Sequence, residues 1–208
     1  MAAEIRAVVF DIGNVLIGWQ PERFYDAEIG PERRQALFAE VDLHEMNLRV
    51  DAGGDFRATI YDTADAHPKW AAEIRMWHDR WLELAGPVID QSVRLLYALK
   101  ARGMPTHALT NFGVGSFDLA SGHWGFLNDF DIPFVSGRMR MVKPHAEIYA
   151  AVEAETGLPP EALFFTDDRA DNIDAAAARG WQTHLFDGPS GLAARLVSDG
   201  LLTQAEAA

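Results

Sequence analysis

The chain contains no cysteine. That excludes a disulfide framework, a thiolate metal site and a cysteine nucleophile. It has no basic run of five or more residues, and its formal charge is −13. Such a chain lacks the electrostatic footprint of a nucleic-acid binder and is repelled by anionic membrane surfaces. No apolar stretch approaches the roughly 20 residues of a membrane span. MAAEIRAVVF runs directly into an apolar segment, which leaves no room for a signal peptide. The expectation is a soluble, cytoplasmic protein. Internal repeats and low-complexity segments are absent, and the seven histidines show no metal spacing such as H-E-x-x-H.

What is present is enough for a folded domain. The chain has 208 residues, 49% of them hydrophobic, which suits one domain or one domain with a small insertion. Its organising stretch is Glu4 to Trp19, EIRAVVFDIGNVLIGW. Ala7 to Phe10 form a short apolar run that suits a strand buried on both faces. Asp11 ends the run at the carboxyl end of that strand, where open α/β sheets bind their ligands. Gly13 permits close backbone approach or positive φ, and Asn14 tolerates a turn. Taken alone, Asp11 is equally a turn cap.

Residues 20 to 84 show no β-alternation. Pro21 and Pro31 sit where helices can begin. Phe24, Ile29, Leu37, Phe38 and Val41 recur at near-helical spacing. Trp70, Ile74, Trp77, Trp81 and Leu84 fall at i, i+4, i+7, i+11 and i+14, which predicts one amphipathic helix with a core-facing aromatic stripe. The segment reads as an all-helical cap (19–85) inserted into a core made of 1–18 and 86–208. Ala85-Gly86-Pro87 is its expected exit, and Val88 to Gly103 reads as one helix. Strands are then expected at 106–109, 134–135, 163–166 and 182–186. They alternate with a loop and helix through about His123 and with helices at 146–155, 172–179 and 189–198. Alternation of this kind implies a doubly wound parallel sheet covered on both faces.

Asp11, Thr110-Asn111 and Asp167-Asp168 each follow an apolar strand. In a doubly wound sheet such ends converge on one crevice. Carboxylates packed together repel and raise each other's pKa. A hard divalent cation relieves that repulsion, and Mg²⁺ is commonly held by one or two carboxylates plus phosphate and water. Blander readings exist for each residue. Thr110 and Asn111 are also helix-capping types. Lys143, before Pro144, also fits a solvated surface lysine. His44, Glu45, Asn47, Arg49 and Asp51 form a polar cluster that faces either substrate or solvent.

FDIGNVL resembles the first motif of the haloacid dehalogenase superfamily of hydrolases. ALTN at 108–111, MVKPHAEIY at 141–149 and FFTDDRADNIDAA at 164–176 resemble its second, third and fourth motifs, in order. The resemblance implies that Asp11 is the nucleophile and that Thr110, with Asn111 and the backbone beyond, binds a phosphoryl group. It implies that Lys143 offsets anionic charge. Mg²⁺ would be held by Asp11, the Gly13 backbone carbonyl, Asp168 and Asp167, with Asn172 behind them. The closest wording is a D-[IL]-G-N-V subset that includes sugar-phosphate phosphatases. One departure is Gly13, where phosphatases of the superfamily usually carry a second Asp as general acid/base. The cap residues His44 and Glu45, or a metal-polarised water, are candidates to replace it.

Three functions follow as expectations. The first is a Mg²⁺-dependent phosphatase of small phosphorylated metabolites. The second is a 2-haloacid dehalogenase, which needs no metal and usually lacks the paired acids of the fourth motif. The third is a binding protein that kept the fold. Nucleic acid and membrane are not expected partners, and oligomeric state is not legible.

Overall fold

The computed structural model of the chain describes residues 4–208. A parallel sheet of five strands has the order β5-β4-β1-β6-β7. Its strands are β1 (Ala7–Phe10), β4 (Thr106–Thr110), β5 (Ile132–Val135), β6 (Leu163–Asp167) and β7 (Gln182–Leu185). The chain builds outward from β1 to β4 and β5, then returns to the other side of β1 for β6 and β7. The order therefore reverses between β1 and β6, the point at which such sheets open a crevice.

Alternation along the strands explains their burial on both faces. Val8 and Phe10 join one hydrophobic cluster, while Ala7 and Val9 join the other. Phe164 and its neighbours Leu163 and Phe165 divide in the same way. Helices α10 (Ala146–Thr156) and α11 (Ala170–Ala178) cover the second face, with Ile148, Tyr149, Val152 and Ile173 buried there. Helices α7 (Asp90–Ala101) and α12 (Pro189–Ser198) cover the first. Pro133 is accommodated because β5 is an edge strand.

Six α-helices lie between residues 20 and 85: α1 (Pro21–Ile29), α2 (Pro31–Glu40), α3 (Leu43–Asp51), α4 (Phe56–Ala66), α5 (Ala71–Asp79) and α6 (Trp81–Leu84), with a 3₁₀ turn at Pro68–Trp70. Pro21 and Pro31 occupy first-turn positions. Asp42 and Asp55 cap α3 and α4 by accepting from the backbone N–H of Glu45 and Ala58. These helices share one apolar cluster with the first face of the sheet.

Two expectations are corrected here. The stripe from Trp70 to Leu84 is buried throughout, but it is not one helix. Arg80, at φ −125° and ψ 27°, separates α5 from α6. The break lets Trp81 pack on Trp19 and Phe112, with ring centroids 5.6 and 5.2 Å away, so tertiary packing overrides helical periodicity. Likewise the helix expected over 88–103 is present but begins two residues later. Residues Ala85–Val88 form β3, which pairs antiparallel with β2 (Ile17–Trp19), and helix α7 starts only at Asp90. The two strands approach so closely that a Cβ on Gly18 would lie 2.8 Å from the Gly86 carbonyl oxygen. The entry to the helical segment is thereby tied to its exit.

Candidate active site

At the carboxyl ends of the strands lies a cavity of about 730 Å³, within the range that holds small molecules. Asp11, Gly13, Thr110, Asn111, Lys143, Asp168 and Asn172 line it, as do His44, Glu45, Arg49 and Asp51 from α3. The three strand-end clusters expected to converge do converge. Asp167 alone among the expected site residues does not line the cavity.

The centre is a buried ammonium. Lys143, 4% exposed, places Nζ 2.8 Å from Asp11 Oδ1 and 2.6 Å from Asp167 Oδ2. Burial works to lower its pKa, but the charges and hydrogen bonds of Asp11 and Asp167 outweigh that and hold it above the usual lysine value. Asn111 fixes the lysine from behind. Its amide nitrogen donates to the Lys143 carbonyl at 3.0 Å, and its oxygen accepts the Lys143 N–H at 2.8 Å. Both ends of that amide are therefore spent on backbone.

Asp11 follows β1 directly, and its N–H donates to the Thr166 carbonyl. The residue is 7% exposed. Burial pushes its carboxyl up to about 7, the Lys143 ammonium opposes this, and the Asp167 charge adds to it. Asp168 is half-buried, and burial together with the Asp167 charge raises its pKa, while a 2.9 Å hydrogen bond from Asn14 Nδ2 pulls the other way. Asn14 adopts φ 55°, and its side-chain oxygen accepts the Trp19 N–H. The left-handed residue of this loop is thus Asn14. Gly13 has no positive φ, and a Cβ placed on it would meet nothing nearer than Trp19 Cβ at 4.0 Å. Packing and backbone conformation leave room for a side chain there.

Asp11, Asp167 and Asp168 each present a carboxylate oxygen within 4.8 Å of the others. Their chemistry fits a hard divalent cation. They are unequal as ligands, however. Asp167 has no exposed surface. Its oxygens already accept from Lys143 Nζ, the Arg169 N–H and Asn172 Nδ2. Asp11 and Asp168 keep oxygens open to the cavity. Beside them Asn172 Oδ1 is buried without a partner, which a bound ion or its water would satisfy.

Sequence reasoning placed the strand-end residues but missed two others. By sequence Asn14 reads only as a turn former, yet it holds Asp168. By sequence Asp51 reads only as part of a polar cluster, yet it is buried at 7% exposure and lines the cavity. The signal for Asp51 was there. Leu43, Met46, Asn47, Val50 and Asp51 fall at i, i+3, i+4, i+7 and i+8, so the acid shares the buried stripe of α3. His44 and Glu45 are exposed, and His44 Nε2 lies 3.0 Å from Glu22 Oε1. Arg49 is exposed and donates to Thr63 Oγ1.

Among the described residues, no helix is long and apolar enough to cross a membrane. No curated protein matches the chain significantly. Solved structures do. A haloacid dehalogenase (HAD) family enzyme from Bacteroides thetaiotaomicron is 22% identical, with a TM-score of 0.68 over 89% of this chain and 95% of its own. The wild-type form of that enzyme in complex with magnesium and inorganic phosphate is 20% identical in its alignment, with a TM-score of 0.63 over 88% and 95%. L-2-haloacid dehalogenase from Xanthobacter autotrophicus is 21% identical, with a TM-score of 0.60 over 98% and 86%. At these identities the likeness establishes the fold. Membership rests on the sequence profile of the haloacid dehalogenase-like hydrolases, which matches residues 5–180: the chain belongs to that family of hydrolases.

Proposed function

We propose that this hydrolase is a Mg²⁺-dependent phosphatase of small phosphorylated metabolites, sugar phosphates among them, working through an aspartyl-phosphate on Asp11. The observation that carries the reading is the charge of the site. Three carboxylates lie about one ammonium, and with all three ionised, the state a bound cation favours, the cluster carries two negative charges against an anionic substrate. A divalent cation brings that sum to zero. A dehalogenase that works without metal would have no use for the surplus. The Bacteroides enzyme bound to magnesium and inorganic phosphate supports the same reading by likeness.

When bound, Mg²⁺ would be held by Asp11, Asp168 and the Gly13 carbonyl, and it supplies charge neutralisation for the phosphoryl oxygens. The chain's own residues do the rest. Asp11 is the nucleophile, held by its strand end and by Lys143. Thr110 and the backbone after it receive the phosphoryl oxygens. Lys143 stabilises the charge that moves between Asp11 and the substrate. Asp167 holds Lys143, and Asn172 holds Asp167. Asn111 positions Lys143 through its backbone. Residues 19–85 act as a cap that closes over the leaving group and selects it, with His44, Glu45 and Arg49 at its rim.

A second reading, 2-haloacid dehalogenase, draws support from Gly13 and from the likeness to the Xanthobacter enzyme. One experiment separates them. Release of inorganic phosphate from small esters is measured with Mg²⁺ and with excess chelator, alongside chloride release from 2-chloropropionate. Phosphate release that chelator abolishes is the expected result. Chloride release that is indifferent to chelator would favour the second reading.

A further inference from the structure

Within the phosphatase reading one chemical task has no residue assigned to it. An alkoxide leaves phosphorus slowly unless it is protonated, and the position two residues after the nucleophile is glycine. We propose that Asp51, from helix α3, is the general acid that protonates the leaving oxygen.

Position comes first. Asp51 lines the same cavity as Asp11, Lys143 and Asp168, and it comes from the helical segment rather than from a strand end. It is buried, and among the described residues no lysine, arginine or histidine nitrogen forms an ion pair with it. What holds it is neutral. Asn47 Nδ2 donates to Asp51 Oδ2 at 2.9 Å. Asn47 cannot turn its amide over, because its oxygen accepts from Nε1 of the fully buried Trp77 at 3.1 Å. A carboxyl without a cationic partner in an apolar wall keeps its proton more readily than one in water. Burial accordingly pushes Asp51 up to about 7. The Gly113 N–H opposes this, the Asp11 charge adds to it and Lys143 opposes it. At neutral pH a large share of molecules therefore carries the proton to be donated.

Anchorage comes second. An acid must keep its distance from the reacting phosphorus. The end of α3 is seated on the loops after β4 and β5. Ser136 Oγ donates to the Asp51 carbonyl at 2.6 Å and accepts the Phe112 N–H at 2.8 Å. A Cβ on Gly113 would stand 2.4 Å from Val50 Cγ1, so the loop after Thr110 and the helix end touch backbone to side chain. Asp51 is thus fixed against the loop that would receive the phosphoryl group. His44 and Glu45 are exposed and carry no such anchorage.

The step balances. An Asp11 oxygen forms a bond to phosphorus as the bond from phosphorus to the leaving oxygen breaks, and that oxygen takes the Asp51 proton to give the free alcohol. Asp51, now a carboxylate, takes a proton from water. The resulting hydroxide attacks phosphorus as the bond from phosphorus to the Asp11 oxygen breaks, which releases phosphate, restores the Asp11 carboxylate and leaves Asp51 protonated for the next turnover.

The test is kcat/KM with Mg²⁺ for an alkyl phosphate and for p-nitrophenyl phosphate, whose leaving group scarcely needs a proton. Asp51→Asn is expected to lower the alkyl reaction by about 10²–10⁴-fold, the usual contribution of general acid catalysis, and the aryl reaction by less than about tenfold. Gly13→Asp in the Asp51→Asn background should restore much of the alkyl reaction, because a side chain fits there. Asp51→Ala provides the same comparison should the Asn variant fold poorly. Equal loss on both esters would make Asp51 a structural residue, and an undiminished alkyl reaction would place the acid elsewhere. Either overturns the assignment while the phosphatase reading stands. A wild-type protein that hydrolyses neither ester but releases chloride overturns that reading, and the acid with it.

Discussion

Asp51→Asn is expected to stabilise the protein, and to do so more at high pH. The carboxyl is buried without an ion pair, and burial holds its pKa at about 7 against the usual 3.8. Between those values the folded state keeps a proton that the unfolded state has released. Stability from this group is therefore fully present below pH 4 and is lost as pH rises through 7. The shift of about 3 pH units corresponds to about 4 kcal/mol at 1.36 kcal/mol per unit. Roughly half of that is already lost at pH 5.5, and the remainder by pH 8.5. Asparagine is neutral throughout and close in shape. It presents an amide N–H₂ where Asn47 or the Gly113 N–H already donates, which costs about 1 kcal/mol.

The net expectation is a variant more stable by about 1 kcal/mol at pH 5.5 and about 3 kcal/mol at pH 8.5. For a chain of 208 residues, each kcal/mol moves Tm by about 2–4 °C. The gain at pH 8.5 is then about 6–12 °C. Thermal melts followed by circular dichroism at the two pH values measure it, each with chelator and with Mg²⁺ so that metal linkage is separated. A gap that does not widen with pH, or a variant less stable at pH 8.5, would refute the argument, because Asp51 would then be ionised in the folded state without penalty.

Asp11→Asn should abolish turnover while the fold persists, since a carboxamide of the same shape is a poor nucleophile; residual activity in a clean preparation would remove Asp11 from its role. Asp168→Ala should reduce Mg²⁺-dependent activity more than Asn172→Ala does, because a direct ligand contributes more than a group that orients its neighbour; equal losses, or full activity in chelator, would count against the metal. Lys143→Met should eliminate activity and also destabilise the protein by about 3–5 kcal/mol, since it leaves Asp11 and Asp167 buried without their cation. Urea denaturation measures that loss, and an unchanged midpoint would show that the carboxylates are neutral without Lys143.

Most of the architecture could be read from local pattern because its causes are local. β1, β4 and β6 are apolar runs ended by polar residues, and they converge because a parallel sheet brings its carboxyl ends together. Where the reading failed, the cause was contact between segments far apart in sequence. Val88 looked like the start of a helix because nothing nearby reveals that Ile17–Trp19 runs alongside it. Arg80 looked helical because the partners of Trp81, which are Trp19 and Phe112, lie 62 and 31 positions away. Within the site, charge and order along the chain revealed the acids and Lys143. They could not reveal that Asp167 is saturated with hydrogen bonds while Asp168 is open. That difference depends on Asn14 and Asn172, which reach the two acids from opposite directions along the chain.

An acid on helix α3, rather than two residues after the nucleophile, has a physical consequence. An aspartate at position 13 would sit on the same loop as Asp11, beside Asp168 and Lys143. Its titration would follow whatever charge that cluster carries. Asp51 stands instead on the buried face of α3, held by Asn47 and the Gly113 N–H, where burial is the largest influence on its proton. Its proton is therefore set mainly by burial and less by the charge of that cluster, and it is in place when the leaving oxygen takes it. The same helix carries His44, Glu45 and Arg49 at the cavity rim. The group that activates the leaving oxygen and the groups that meet the rest of the leaving molecule thus belong to one rigid element. A substrate misplaced against α3 is also misplaced against the acid, so that selectivity in this site acts on kcat as well as on KM.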